Sequence, residues 1–161
     1  MKSGDISWCL KQNRGLKLVN PSSEIAESYF KKAEGALNML QSALEKKEMD
    51  WIVTTAYYAK YLSLYALLAK CGIKCEIHDC TISAMNVLLV ESGLVKPELH
   101  TDIEESKDLR IKMQYYLYRE FEKEKVMKLA DSAPDFVLQM RQAIDRIGSK
   151  EIEQIRSRLS G

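Results

Sequence analysis

Apolar residues recur along most of this chain at spacings of three and four, the signature of helices with one buried side. Ile25, Tyr29, Ala33, Ala36, Leu37, Leu40 and Leu44 keep that rhythm, while Glu24, Glu27, Ser28 and Lys31 form a polar, solvated side. Asn20-Pro21 supplies a start, with Asn as N-cap and Pro at the first helical position, and predicts a helix from there to about Lys47. From Met49 to Cys71 the chain is apolar on nearly every side and stops at Gly72, which predicts a central helix covered all round. A short helix near Ile6 to Gln12 precedes both. Asp79 is placed to cap a fourth helix ending near Ser92-Gly93, and Lys96-Pro97 opens the segment that follows. A fifth helix, bent or broken inside, is expected over roughly Thr101 to Ala130. A sixth begins at Ala133-Pro134, buries Phe136, Val137, Met140, Ala143, Ile144 and Ile147, and ends at Gly148. Ile152, Ile155 and Leu159 make the tail from Lys150 a weak amphipathic helix and a candidate dimer contact. No segment alternates as a strand does. The pattern therefore predicts an all-α, antiparallel four- to five-helix bundle with short extra terminal helices. It is one domain over residues 1–161, with a core at about 22–145 and a helical tail at 149–161.

Composition agrees. Seven Gly and three Pro among 161 residues are too few for the tight turns of an all-β fold. A chain with 46% hydrophobic and 29% charged residues is not generally disordered. Trp51 to Ala69 approaches the length of a bilayer span, but its single charge, Lys60, lies at the middle. A mid-bilayer Lys costs about 2.5–3.5 kcal/mol, and Thr54, Thr55, Ser63 and four tyrosines add polarity, so a buried helix is expected and no membrane partner. The N-terminal residues carry no apolar signal core, which predicts a cytoplasmic protein with Cys9, Cys71, Cys75 and Cys80 as reduced thiols. Cys71, Cys75, His78 and Cys80 are zinc-ligand types, but the spacing C-x3-C-x2-H-x-C matches no usual zinc pattern, and small buried thiols beside a loop histidine are expected instead of a metal. No cofactor is expected either: the chain has no Walker loop and no G-x-G-x-x-G, and it has no H-E-x-x-H or G-x-S-x-G.

The net charge of +1 excludes a broad, histone-like nucleic-acid binder. It also hides an asymmetry. Residues 76–109 carry two basic and eight acidic side chains, residues 110–128 six basic and three acidic, and residues 51–75 three basic and none acidic. A local positive patch attracts phosphate whatever the total. Two sequence features lie in the positive segments. Tyr57, Tyr61 and Tyr65 form one stripe along the central helix, either packed in the core with each hydroxyl partnered or forming a groove wall against a nucleotide or RNA base. Arg110, Gln114 and Tyr118 are four apart and share a side of the fifth helix, while Leu109, Met113, Tyr116 and Leu117 make its apolar side. The forked donors of an arginine suit phosphate, and the alternative is that Arg110 pairs with Asp108 or Glu105.

Several segments together resemble the HEPN family (higher eukaryotes and prokaryotes nucleotide-binding). Thr55 to Leu68 resembles its Y-Y-A…A-L-L helix, and Gly72-Ile73-Lys74 with His78 the G-x-x…H loop after it. Val90 to Val95 resembles the stretch before the last core helices. Leu109-Arg110 with Tyr115 resembles the L-R-x4-Y element of a small prokaryotic branch. The resemblance covers about residues 22 to 145. It implies a helical bundle that dimerises and often pairs with a minimal nucleotidyltransferase as a toxin–antitoxin system. Active members are metal-independent ribonucleases with an R-x(4–6)-H motif at the dimer cleft. Here Arg110 takes the place of the motif arginine, but Tyr115, Tyr116 and Leu117 stand where the histidine would be. Ile111 replaces a polar residue common after the arginine, and Gln114 an Asp common before the tyrosine. A neutral His is a ready base at pH 7, whereas a Tyr with a pKa of about 10 is a poor one. The resemblance thus implies a dimeric nucleotide- or RNA-binding protein, toxin-like, with weak or absent nuclease activity. Arg110 would hold phosphate, Gln114 and Tyr115 would hydrogen-bond it, Lys112 and Arg119 would add positive field, and Tyr57, Tyr61 and Tyr118 would line the ligand. Two alternatives stand beside it: an active ribonuclease using Arg110 with Tyr115 or His78, and a non-catalytic module that docks a partner protein.

Overall fold

The computed structural model describes residues 4–115 and 123–160. The helices are α1 (Ile6–Lys11), α2 (Ser23–Lys46), α3 (Met49–Lys70), α4 (His78–Ala84), α5 (Pro97–Tyr115), α6 (Lys123–Asp131), α7 (Ala133–Arg146) and α8 (Ser149–Ser157). A π-helical stretch, Met85–Val90, continues α4. The all-α bundle is as expected, with one small addition: Lys17–Leu18 (β1) pairs antiparallel with Ile73–Lys74 (β2). Two residues per strand are too few to show alternation.

Three boundaries differ from the sequence expectation. The N-cap of α2 is Ser22 rather than Asn20, because the Ser22 hydroxyl accepts the Ile25 N–H. Helix α4 starts at His78, one residue before Asp79, with Ile77 at the cap position and no side-chain cap. The helix expected over roughly 101–130, bent or broken inside, begins earlier than expected, at Pro97; its described parts are α5 and α6, and the stretch between them lies outside the described residues.

Helix α3 is the centre of the bundle and packs against α2, α5, α6 and α7. Its uniform hydrophobicity now has a cause: it buries Ile52, Val53, Ala56, Leu64, Leu67 and Leu68 on several sides at once. The core runs from Phe30 and Leu64 to Met85, Leu88, Phe136, Met140 and Ile144. A second cluster at the other end joins Leu40, Ile52 and Val53 to Leu109, Met113, Val126 and Leu129. Lys60 is fully buried in α3, bonded to Asp102, Ser106, Ser132 and the Leu129 carbonyl. Among the described residues no helix is long and apolar enough to cross a membrane.

In the tail α8, expected as a candidate dimer contact, Ile155 and Leu159 are buried in this chain's own core and Ile152 is partly buried against it. Arg156 secures the tail by donating to the carbonyls of Val19, Cys71 and Gly72. The expectation of four reduced thiols is corrected. Cys9 in α1 and Cys80 in α4 form a disulfide across a sequence separation of 71, while Cys71 and Cys75 are free and buried. The pairing partner of Cys80 lies far from it in sequence because the docking of α1 on α4 brings the two together.

Candidate functional site

The first turn of α4 carries three consecutive links to three other helices. His78 meets α3 through Tyr57, Asp79 meets α5 through Lys107, and Cys80 meets α1 through Cys9. His78 Nδ1 lies 2.7 Å from the Tyr57 hydroxyl. Its ring stacks on Tyr61 with centroids 4.0 Å apart and planes 13° apart, and Tyr58 stands edge-on to it at 6.4 Å. Lys107 Nζ donates to Asp79 Oδ1 at 2.6 Å.

Arg110 approaches the same cluster from α5. Its guanidinium carbon lies 4.8 Å from the Tyr57 ring centroid and 5.9 Å from that of Tyr58, within cation–π range of both. Nη1 donates to Gln114 Oε1 at 3.3 Å, one helical turn on. Nε is buried with no hydrogen-bond partner among the described residues. The expected alternative, an ion pair to Asp108 or Glu105, is not what forms: among the described residues Arg110 spends its charge on aromatic faces and a neutral amide.

The tyrosine stripe resolves as core packing. Tyr57 is fully buried, and Tyr61 and Tyr65 nearly so. The Tyr61 hydroxyl donates to Thr81, whose own proton goes to the Ile77 carbonyl. Tyr57 and Tyr61 are therefore the floor under Arg110 and His78 rather than a groove wall in contact with a base, because their rings are already covered. Burial raises both phenol pKa values, that of Tyr61 to about 12, so both keep their protons. His78 shifts the other way. Burial lowers its pKa, nearby Arg110 and Lys107 add to that, and Asp79 opposes them.

The remaining expected site residues scatter. Gln114 joins Arg110 because it is four positions on. Lys112 is exposed about 200° round α5 from Arg110, so it lies on the opposite side of the helix. Tyr115 is 72% exposed and about 140° round from Arg110. Tyr118 and Arg119 lie outside the described residues. The positive character expected of residues 51–75 shrinks, since Lys60 is buried against Asp102 and Lys74 pairs with Glu76. Sequence reasoning missed Tyr58 and the Lys107–Asp79 pair. Tyr58 is off the i, i+4 stripe and Asp79 is 28 positions from Lys107, so neither carries a local signal.

The thiol cluster does not assemble. Cys80 is in the disulfide, burial raises the Cys71 thiol to about 12, and the Cys75 thiol donates to the Ile77 carbonyl. Among the described residues no group of three or more His, Cys, Asp or Glu is placed to hold a metal.

A family model described as HEPN domain matches residues 26–142, from the first turns of α2 to near the end of α7. A search of curated proteins finds no match.

Proposed function

The chain belongs to the HEPN domain family, and from that premise we propose that it is a homodimeric nucleotide- or RNA-binding module that holds phosphate without cutting efficiently. The observation that carries this reading is Arg110. It is a guanidinium with no carboxylate partner among the described residues, laid over two tyrosine rings beside a histidine of lowered pKa. An arginine held in place by aromatic faces and a neutral amide keeps its charge available to an anion. Gln114 and Lys107 stand at the same site, Gln114 as a polar neighbour and Lys107 as a second cation partly neutralised by Asp79.

Two features support weak chemistry. The motif histidine is absent from α5, and Tyr115, which takes its place, is exposed on a different side of the helix from Arg110. The homodimer is supported by exposed apolar side chains on the two helices that carry the site: Trp51 and Tyr58 on α3, Ile111 and Tyr115 on α5. Across such an interface Tyr115 and Lys112 of one protomer would complete the site of the other. A toxin–antitoxin partnership with a minimal nucleotidyltransferase follows from the family, in the cytoplasm. A second reading, an active metal-independent ribonuclease, is favoured by one observation: His78 lies in the same cluster as Arg110.

Binding of labelled single-stranded RNA and of adenosine monophosphate to wild type and Arg110→Ala tests the first reading. The expected result is a loss of tenfold or more in the variant, about 1.4 kcal/mol. Equal binding by both removes Arg110 from the site. RNA cleavage that is abolished in His78→Ala would move the conclusion to the second reading.

A further inference from the structure

Buried polar hydrogens must find acceptors, and that rule decides more about this site than the heavy atoms alone. The Tyr57 side chain is fully buried, so its hydroxyl proton has no water to bond. Among the described residues its only hydrogen-bond partner is His78 Nδ1, at 2.7 Å. Were Nδ1 protonated, it would donate to the phenol oxygen and leave the phenol proton stranded. The other arrangement satisfies both groups: the phenol donates and Nδ1 accepts.

We infer that Tyr57 is a positioning residue that fixes His78 as the tautomer protonated at Nε2, so that Arg110 and His78 offer only hydrogen-bond donors to a phosphate oxygen. This rests on the proposal that the Arg110 site binds a phosphate ester. A neutral imidazole has one lone pair, on the nitrogen without a proton. Here that lone pair is spent on Tyr57, and Nε2, with no partner among the described residues, carries the proton. Such a histidine steadies an anion as a neutral donor but takes no proton from a ribose hydroxyl. The environment favours the same state. The groups around His78 are the Arg110 and Lys107 cations of α5, the neighbouring Asp79, the Tyr57, Tyr58 and Tyr61 rings of α3, and Thr81, which is occupied by Tyr61 and Ile77. The two cations outweigh the one carboxylate in discouraging the imidazolium. The site is thereby built to bind phosphate and not to deprotonate a neighbour, which gives the missing cleavage a cause inside this chain.

The tautomer is read from the imidazole nitrogens by long-range proton–nitrogen NMR on the full chain at pH 7.5. The chain has two histidines, and His100→Gln assigns the signals by loss. The expected result is a protonated Nε2 and an unprotonated Nδ1 on His78; a protonated Nδ1 overturns the inference. Tyr57→Phe tests the positioning role through a sign. A donor to Nδ1 stabilises the neutral ring, so its loss raises the His78 pKa, by about half to one pH unit. An acceptor from Nδ1–H would stabilise the imidazolium, so its loss would lower the pKa. A fall or no change overturns the inference. The wild-type spectrum is decisive even if Tyr57→Phe does not fold. Adenosine monophosphate is then titrated into wild type. A shift of the His78 Nε2–H signal is expected, and binding that leaves that signal unmoved overturns the donor role. No binding of adenosine monophosphate or RNA, with the tautomer as expected, rejects the proposed function and the donor role with it, and is told apart because the tautomer is measured without ligand.

Discussion

The Lys60 ammonium in α3 lies 2.8 Å from the Asp102 carboxylate of α5, and its side chain is wholly out of water. Ser106, Ser132 and the Leu129 carbonyl complete its surroundings at 2.8–2.9 Å. One buried cation thus ties the central helix to α5, to the end of α6 and to the start of α7. Burial lowers its pKa, and the Asp102 carboxylate opposes that.

Removing one partner of such a pair strands the other charge. Lys60→Met is expected to cost about 3 kcal/mol or more in urea unfolding. Asp102→Leu added to it should recover part of that loss. A single variant as stable as wild type would show that the pair holds nothing together.

The Cys9–Cys80 disulfide should be visible by counting thiols. In denaturant without reductant the chain should show two, from Cys71 and Cys75, and four after reduction. Cys9→Ser should lower stability by about 2–4 kcal/mol through the freed loop of the unfolded chain. Four thiols before reduction would contradict the pairing.

Gly72 ends α3 at a φ of +72°, and a Cβ there would lie 2.5 Å from the Val19 carbonyl oxygen and 2.7 Å from the Pro21 nitrogen. Gly72→Ala meets both an unfavourable backbone conformation and a clash with the backbone ahead of α2. A loss of about 2 kcal/mol or more is expected, read as a lowered urea midpoint. An unchanged midpoint would mean that this turn relaxes freely.

His78 predicts a pH dependence with a definite sign. Its folded-state pKa is below the ordinary 6.5, so the unfolded chain binds the proton more readily. Its contribution is complete above 6.5 and is lost as pH falls from there through the lowered folded value. Glu27 and Glu76, held low by Arg141 and Arg14, act only lower, as pH falls below 4.5. Urea midpoints at pH 7.5 and 5.5 should therefore fall with acid in wild type and change less in His78→Gln. Equal slopes would show that another group carries the effect.

Helices α2, α3 and α7, with their buried sides, are legible in the chain itself, because apolar spacing of three and four is a local property that each segment carries alone. So is the relation of Arg110 to Gln114, four positions apart on one helix. The family could be inferred from the order and spacing of Tyr57-Tyr58, Gly72, His78 and Arg110.

What depended on the tertiary structure lies between segments. Cys80 could be read as a thiol until α1 brought Cys9 to it, Ile155 and Leu159 as one side of a weak helix until the core took them in, and Lys60 as an unplaced charge until α5 and α6 supplied its acceptors. The site follows the same rule. Arg110, Tyr57 and His78 come from three helices, and only their packing lays a guanidinium on a tyrosine whose hydroxyl meets a histidine. By itself the sequence determines which residues can be helical and buried, since that depends on near neighbours. Which polar groups satisfy one another in the interior depends on contacts distant in the chain, and that was left for the fold to decide.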